Sequence, residues 1–145
     1  MLLDNKVLNL SYVSKKEEFM KFFKCNVCGN IIELIIKGGG KLVCCNESME
    51  LLVPKEQEVG NEKHLPVATM EGNQLSVKVG SIEHPMEEAH HIEFIVIKYN
   101  KHVERKNLKY TDKPEAVFTI NEECNEIEIY EYCNLHGLWK TVFTK

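Results

Sequence analysis

Beyond residue 64 the chain alternates. In QLSVKVG, Leu75, Val77 and Val79 are apolar and the residues between them are polar. That is the period-2 signature of a half-buried strand. HIEFIVIKY is apolar on both faces in its middle, as a central strand must be. AVFTI, EIEIYEYC and LWKTVF follow as further strands. Turn signals separate them: MEGNQ, KYTDKPE, NEECNE and CNLHG. Short strands with regular turns and no helical period predict a β-sandwich over residues 54–145. Upstream, over 22–53, the apolar runs IIELII and KLVCC flank the turn KGGGK, which predicts a hairpin with glycines supplying positive φ. The hydrophilic stretch PKEQEVGNEK reads as a linker, and residues 1–21 as an N-terminal extension. Within it SKKEEFMKFF has capping-box spacing, Ser14 to Glu17, for a short helix, and Met20 is an alternative start.

Composition narrows the function classes. The 145 residues suffice for one ordinary domain, or for a small module and a compact partner. Hydrophobic residues make up 43% and charged residues 28%, a globular rather than a disordered balance. The net charge is −4 with no Lys/Arg-rich block, which argues against nucleic acid as a partner. No stretch approaches the roughly 20 apolar residues of a membrane span. The N-terminus lacks a basic region followed by an apolar core, so a cytoplasmic, reducing location is expected. Six cysteines in such a place point to metal or redox chemistry before disulfides.

Four of those cysteines form one pattern: Cys25-x-x-Cys28, fifteen intervening residues, then Cys44-Cys45. A CxxC turn aims two thiolates at one point, and a returning strand can bring a second pair. Four thiolates in a tetrahedron suit iron or zinc, and spacing does not choose between them. A module of this size cannot bury a sufficient core, since chains under about 40 residues usually need a metal, disulfides or a partner. The adjacent pair is the unusual feature. Neighbouring side chains diverge in extended backbone, so one or both cysteines must bend, giving a distorted tetrathiolate. A vicinal disulfide is strained and leaves Cys25 and Cys28 unexplained.

The second half holds His64 in EKHLP, His84 in HPM, His90 and His91 in EEAHHI, and Cys133 with His136 in CNLHG. A lone histidine in a strand protein is an ordinary surface or core residue. Several at strand ends, with a Cys-x-x-His loop closed by Gly137, point to a second metal site, and imidazole with thiolate suits Fe, Zn or Cu. His90 and His91 face opposite ways in a strand, and the residues alone do not choose between them. His102 lies in the basic stretch NKHVERK, read as an exposed loop, and Cys124 reads as a spare thiol.

Together CNVCGN…GGGKLVCCNESM, EKHLP, EHPMEEAHHI and CNLHGLWK resemble the desulfoferrodoxins, the two-iron-centre class of superoxide reductase, over residues 22–145. The resemblance implies a desulforedoxin-like first domain, with a rubredoxin-type iron on Cys25, Cys28, Cys44 and Cys45, and an immunoglobulin-like β-sandwich as the second. It implies a second iron with four equatorial imidazoles, His64, His84, His90 and His136, and an axial thiolate from Cys133. It thereby selects His90 over His91, and it sets Glu62 and Lys63 beside the open sixth position. The activity implied is one-electron reduction of superoxide to hydrogen peroxide, with electrons from a rubredoxin-like donor, in a homodimer. Within that reading the thiolate pushes electron density towards the open site. Lys63 attracts the anionic substrate to an acidic protein, and Glu62 takes the sixth position once product has left. Alternatives are a non-catalytic iron electron carrier, a zinc-stabilised module and a dismutase.

Overall fold

The computed structural model describes residues 19–58 and 63–145, which contain twelve strands and no helix. The chain divides into two compact units at Met49/Glu50. The fold is mainly β in both.

In the first unit β1 (Phe22–Lys24) pairs antiparallel with β2 (Ile31–Glu33), Lys24 opposite Ile31. The Cys25–Asn30 segment is the turn between them, closed by Cys25 N–H donating to Asn30 O at 2.8 Å and Gly29 N–H to Cys25 O at 2.9 Å. Strands β3 (Val43–Cys44) and β4 (Glu47–Ser48) form a second, minimal hairpin. This corrects the expected hairpin. The runs on either side of KGGGK do not pair with each other: Ile31–Glu33 pairs back with Phe22–Lys24, and Val43–Cys44 pairs onward with Glu47–Ser48, because the two-residue turn at Cys45-Asn46, with both residues at positive φ, closes a shorter loop than the glycine run does. The helix expected over 14–23 lies mostly outside the described residues, and its end, Phe22–Phe23, is strand.

The second unit opens with β5 (Glu50–Leu52) and continues as a seven-stranded sandwich. One sheet has the order β10-β7-β6, from Glu115–Thr119, Gln74–Val79 and Pro66–Glu71. The other has the order β12-β11-β8-β9, from Gly137–Thr144, Glu126–Cys133, Ile92–Tyr99 and His102–Asn107. Three strands on four is the immunoglobulin-like arrangement. Leu75, Val77 and Val79 of β7 face Ile95 and Ile97 of β8 and Ile129 of β11 in one buried core. β8 is flanked on both edges, as its two-sided apolar pattern requires.

Two sequence readings change here. NKHVERK contains a strand, β9, not a loop; its polar, exposed side chains hide it from any apolar periodicity. His102 is exposed there and pairs with Glu122 at 2.9 Å. The linker reading also fails over its described part. Lys55 bridges to Trp139 of β12, its N–H donating to Leu138 O and its carbonyl accepting from Lys140 N–H, both at 2.9 Å.

Candidate metal centres

Cys25 and Cys28 sit on the β1–β2 turn, and Cys44 ends β3. Cys45 and Asn46 both have positive φ, 52° and 62°, the mark of a two-residue hairpin turn that extended strand cannot supply. That turn lets adjacent cysteines point to the same place. The four sulfurs lie within 4.8 Å of one another. Cys28 and Cys44 are 3.6 Å apart and Cys44 and Cys45 3.9 Å. Metal–sulfur bonds of about 2.3 Å around a tetrahedron imply sulfur–sulfur edges near 3.8 Å. All four thiols are free, and these separations far exceed a disulfide's roughly 2.05 Å. Crowding splits their acidity. A hydrogen bond from the Cys28 backbone leads in lowering Cys25 to about 7, whereas Cys28 and the other neighbouring thiols push Cys45 up to about 12. A cation is what allows all four to be thiolates together. The donor set therefore fits a four-coordinate iron or zinc.

His64, His84, His90, His136 and Cys133 bring one ligand atom each to within 4.8 Å of one another. The imidazoles form a closed ring: neighbouring centroids are 4.9 Å (His64–His84), 4.6 Å (His84–His90), 4.9 Å (His90–His136) and 4.7 Å (His136–His64). His64 and His90, across the ring, are 6.4 Å apart, close to the diagonal of a square. Cys133, fully buried and part of the hydrophobic core, supplies the fifth atom, 3.7 Å from His136 Nδ1.

Local structure aims each donor. His84 Nδ1 bonds to Pro85 O at 2.7 Å, leaving Nε2 buried and, among the described residues, without a partner. His90 Nε2 is buried in the same condition. His64 Nδ1 bonds to Glu58, and its Nε2 lies 3.0 Å from His136 Nδ1. Buried imidazole nitrogens with no partner among the described residues, converging on one point, are what a metal would satisfy. Burial drives His84 down to about 4; it also lowers His64, against the opposing pull of Glu58, and lowers His90, helped by the charges of His136, His64 and Lys63. All three are therefore neutral near pH 7, the form that ligates. Burial raises the Cys133 thiol, and the backbone N–H groups of His136 and Leu135 partly offset it.

Every histidine and cysteine expected as a ligand joins one of the two groups. His91 stands apart, its Nδ1 bonding to Glu87 O at 3.0 Å. Cys124 packs against the core outside both groups. Lys63 adjoins His64, and Glu62 lies outside the described residues.

Several residues of the second site have no motif to announce them. Asn134 staples the His90–His91 turn to the Cys133–His136 loop: its Oδ1 accepts from His91 N–H at 2.9 Å and its Nδ2 donates to Ala89 O at 3.1 Å. Lys55 Nζ donates to His136 O at 2.9 Å. Trp139 stacks on His64 at 4.6 Å and 10°. Glu58 accepts from the segment that carries His64; burial alone would raise its carboxyl, but His64 and the backbone N–H groups of residues 63–65 hold it below the usual range. Glu131 is fully buried and, among the described residues, has no hydrogen-bond partner; burial, then the charge of Glu58, pushes its carboxyl well up. Gly80, at φ +85°, receives the backbone of Lys63 so closely that a Cβ there would lie 2.6 Å from Lys63 O.

The chain matches the Desulfoferrodoxin family over residues 56–142 and the desulfoferrodoxin N-terminal domain over residues 17–52. It is 49% identical to a desulfoferrodoxin homolog of Methanothermobacter thermautotrophicus, over 84% of this chain and 98% of that one. A desulfoferrodoxin homolog of Archaeoglobus fulgidus is 48% identical, over 86% and 98%. The crystal structure of the superoxide reductase from Treponema pallidum superimposes with a TM-score of 0.69 at 29% identity, covering 85% of this chain and 97% of that one.

Proposed function

The chain belongs to the desulfoferrodoxin family, and on that premise we propose that it is a superoxide reductase. Superoxide takes up one electron and two protons and leaves as hydrogen peroxide. The observation that carries the reading is the square of four imidazoles with one thiol rising from the core. Neither a plain electron carrier nor a structural zinc needs five donors of this kind, four imidazoles in a square and a thiol from the core. An iron held by His64, His84, His90, His136 and Cys133 would supply the electron and a binding position for the substrate.

The chain's own residues then have distinct parts. His64, His84 and His90, as neutral imidazoles, would hold the iron together with His136 without adding charge. Cys133, as thiolate, would be the electron-rich fifth donor to an iron, and the N–H groups of Leu135 and His136 stabilise its charge. Lys63, whose charge is felt at His90, attracts the anion and neutralises it as it is reduced. Glu62 is the carboxylate proposed as a further ligand to an iron held there. Cys25, Cys28, Cys44 and Cys45 would hold a second iron as an Fe(Cys)4 centre, which would suit one-electron relay from a rubredoxin-like donor. The working form is proposed as a cytoplasmic homodimer; no described helix is long and apolar enough to cross a membrane.

Pulse radiolysis of the ferrous protein tests this. The expected result is a fast bimolecular reaction yielding one hydrogen peroxide per superoxide, with no oxygen evolved. Oxygen evolution would make the protein a dismutase, and absence of reaction would leave an electron carrier.

A further inference from the structure

Glu58 belongs to no motif and sits in the hydrophilic run that reads as a linker. Yet its side chain is only 6% exposed, and four donors from one short segment converge on it. Oε1 accepts from the N–H of Lys63 at 3.2 Å, the N–H of His64 at 3.0 Å, and His64 Nδ1. Oε2 accepts from His64 N–H at 3.1 Å and Leu65 N–H at 3.4 Å.

We propose that Glu58 is a positioning residue of the second centre: its carboxylate seats Lys63–Leu65 and holds His64 as the Nδ1–H tautomer, with Nε2 turned to the other donors. This rests on reading that cluster as an iron site.

Consecutive backbone N–H groups pointing one way make an anion cradle, and here the chain fills it with its own carboxylate. That contact sets where the backbone of Lys63 and His64 lies. Trp139 fixes the plane of the His64 ring by stacking, but a stacked imidazole can still flip about its bond to Cβ. A partner at the ring edge chooses between the flips: Glu58 is the one at Nδ1, while Nε2 lies 3.0 Å from His136 Nδ1 among the other donors. A neutral imidazole with its proton on Nδ1 keeps the Nε2 lone pair for a metal. Because both oxygens are in use, glutamine is not equivalent: in either orientation its NH2 faces a backbone N–H. One residue thus sets both a ligand atom and the start of the lysine thought to draw in the substrate.

The test uses the full chain and two readouts that need no superoxide. Nitrogen NMR of the metal-free protein at pH 8 reports the His64 tautomer. Co(II) titration, followed through the visible bands of the second centre, reports its affinity. Glu58→Ala is expected to lose the single Nδ1–H tautomer and to bind Co(II) about 10–100-fold more weakly, the usual cost of removing such a partner. Glu58→Gln is expected to fall between. Glu56→Gln, altering an exposed residue paired with Lys140 at 3.6 Å, is the control and should match the wild type. A folded Glu58→Ala protein with the wild-type tautomer and Co(II) affinity within twofold would overturn the proposal. If that variant does not fold, the same result in Glu58→Gln overturns it. A wild type inert to superoxide but with these NMR and Co(II) differences intact would sink the enzymatic reading and leave this one standing.

Discussion

Replacing Gly80 with alanine tests whether close backbone packing holds Lys63 at the second centre. Gly80 has φ +85°, and a Cβ there would meet Ile82 O at 2.3 Å and Lys63 O at 2.6 Å. Ordinary contact begins near 3.4 Å, so one or both backbone segments must move by up to about an ångström. The left-handed conformation costs an alanine about 1–2 kcal/mol. Forcing atoms into a filled site costs about 1–3 kcal/mol more. The total expected loss is therefore about 2–5 kcal/mol. Gly72→Ala separates the two contributions, because Gly72 has φ +60° with nothing within 4 Å of its Cβ position. That variant should lose only the conformational part, about 1–2 kcal/mol. Urea unfolding of wild type and both variants gives the differences. The displaced Lys63 should also slow the reaction with superoxide, and a misplacement near 1 Å can cost about 100-fold. Equal stability losses in the two variants, with unchanged kinetics in Gly80→Ala, would refute the argument.

Acid should destabilise the metal-free protein. Burial holds His84 near 4 against an ordinary 6.5, so between those values the unfolded chain binds a proton that the folded chain refuses. This contribution is complete above pH 6.5 and is lost as the pH falls towards 4, by roughly 3 kcal/mol in all; a urea midpoint that held steady over that window would contradict it. Lys63→Ala is expected to slow the reaction with superoxide about tenfold at low salt and to flatten its salt dependence, since it removes the attracting charge. A wild-type rate and salt slope in pulse radiolysis would exclude Lys63. Cys45→Ser should abolish the four-thiolate absorption while leaving the direct reaction with superoxide intact; loss of both would show that the centres are not independent.

Strands β7, β10 and β11 were legible from apolar alternation, because a strand's two faces repeat every second residue, and β8 from a run apolar on both faces, as a central strand must be. Strand β9 was not, because its exposed polar side chains carry no such period. The metal-ligand pattern was legible because close ligands come in local pairs, Cys25 with Cys28 and Cys133 with His136, which a single turn can aim. The residues left open His90 against His91, and the family resemblance selected His90, which is the one the structure brings to the ring.

By itself, then, the sequence determined the all-β class, the thiolate and imidazole chemistry and, with His90 against His91 left to the family resemblance, the two groups of donors. What only the tertiary structure decided was the support around them. Glu58, Lys55, Gly80, Asn134 and Glu131 have neighbours in sequence that read as solvated chain, turn or strand. Their partners lie on other strands and loops: Lys55 meets His136, Asn134 meets Ala89, and Gly80 meets Lys63. Likewise Cys44 and Cys45 share one site only because the hairpin turn gives Cys45 a positive φ. Local patterns report period and composition. Which distant backbone a side chain meets, and whether it meets it in or out of water, is set when the sheets pack.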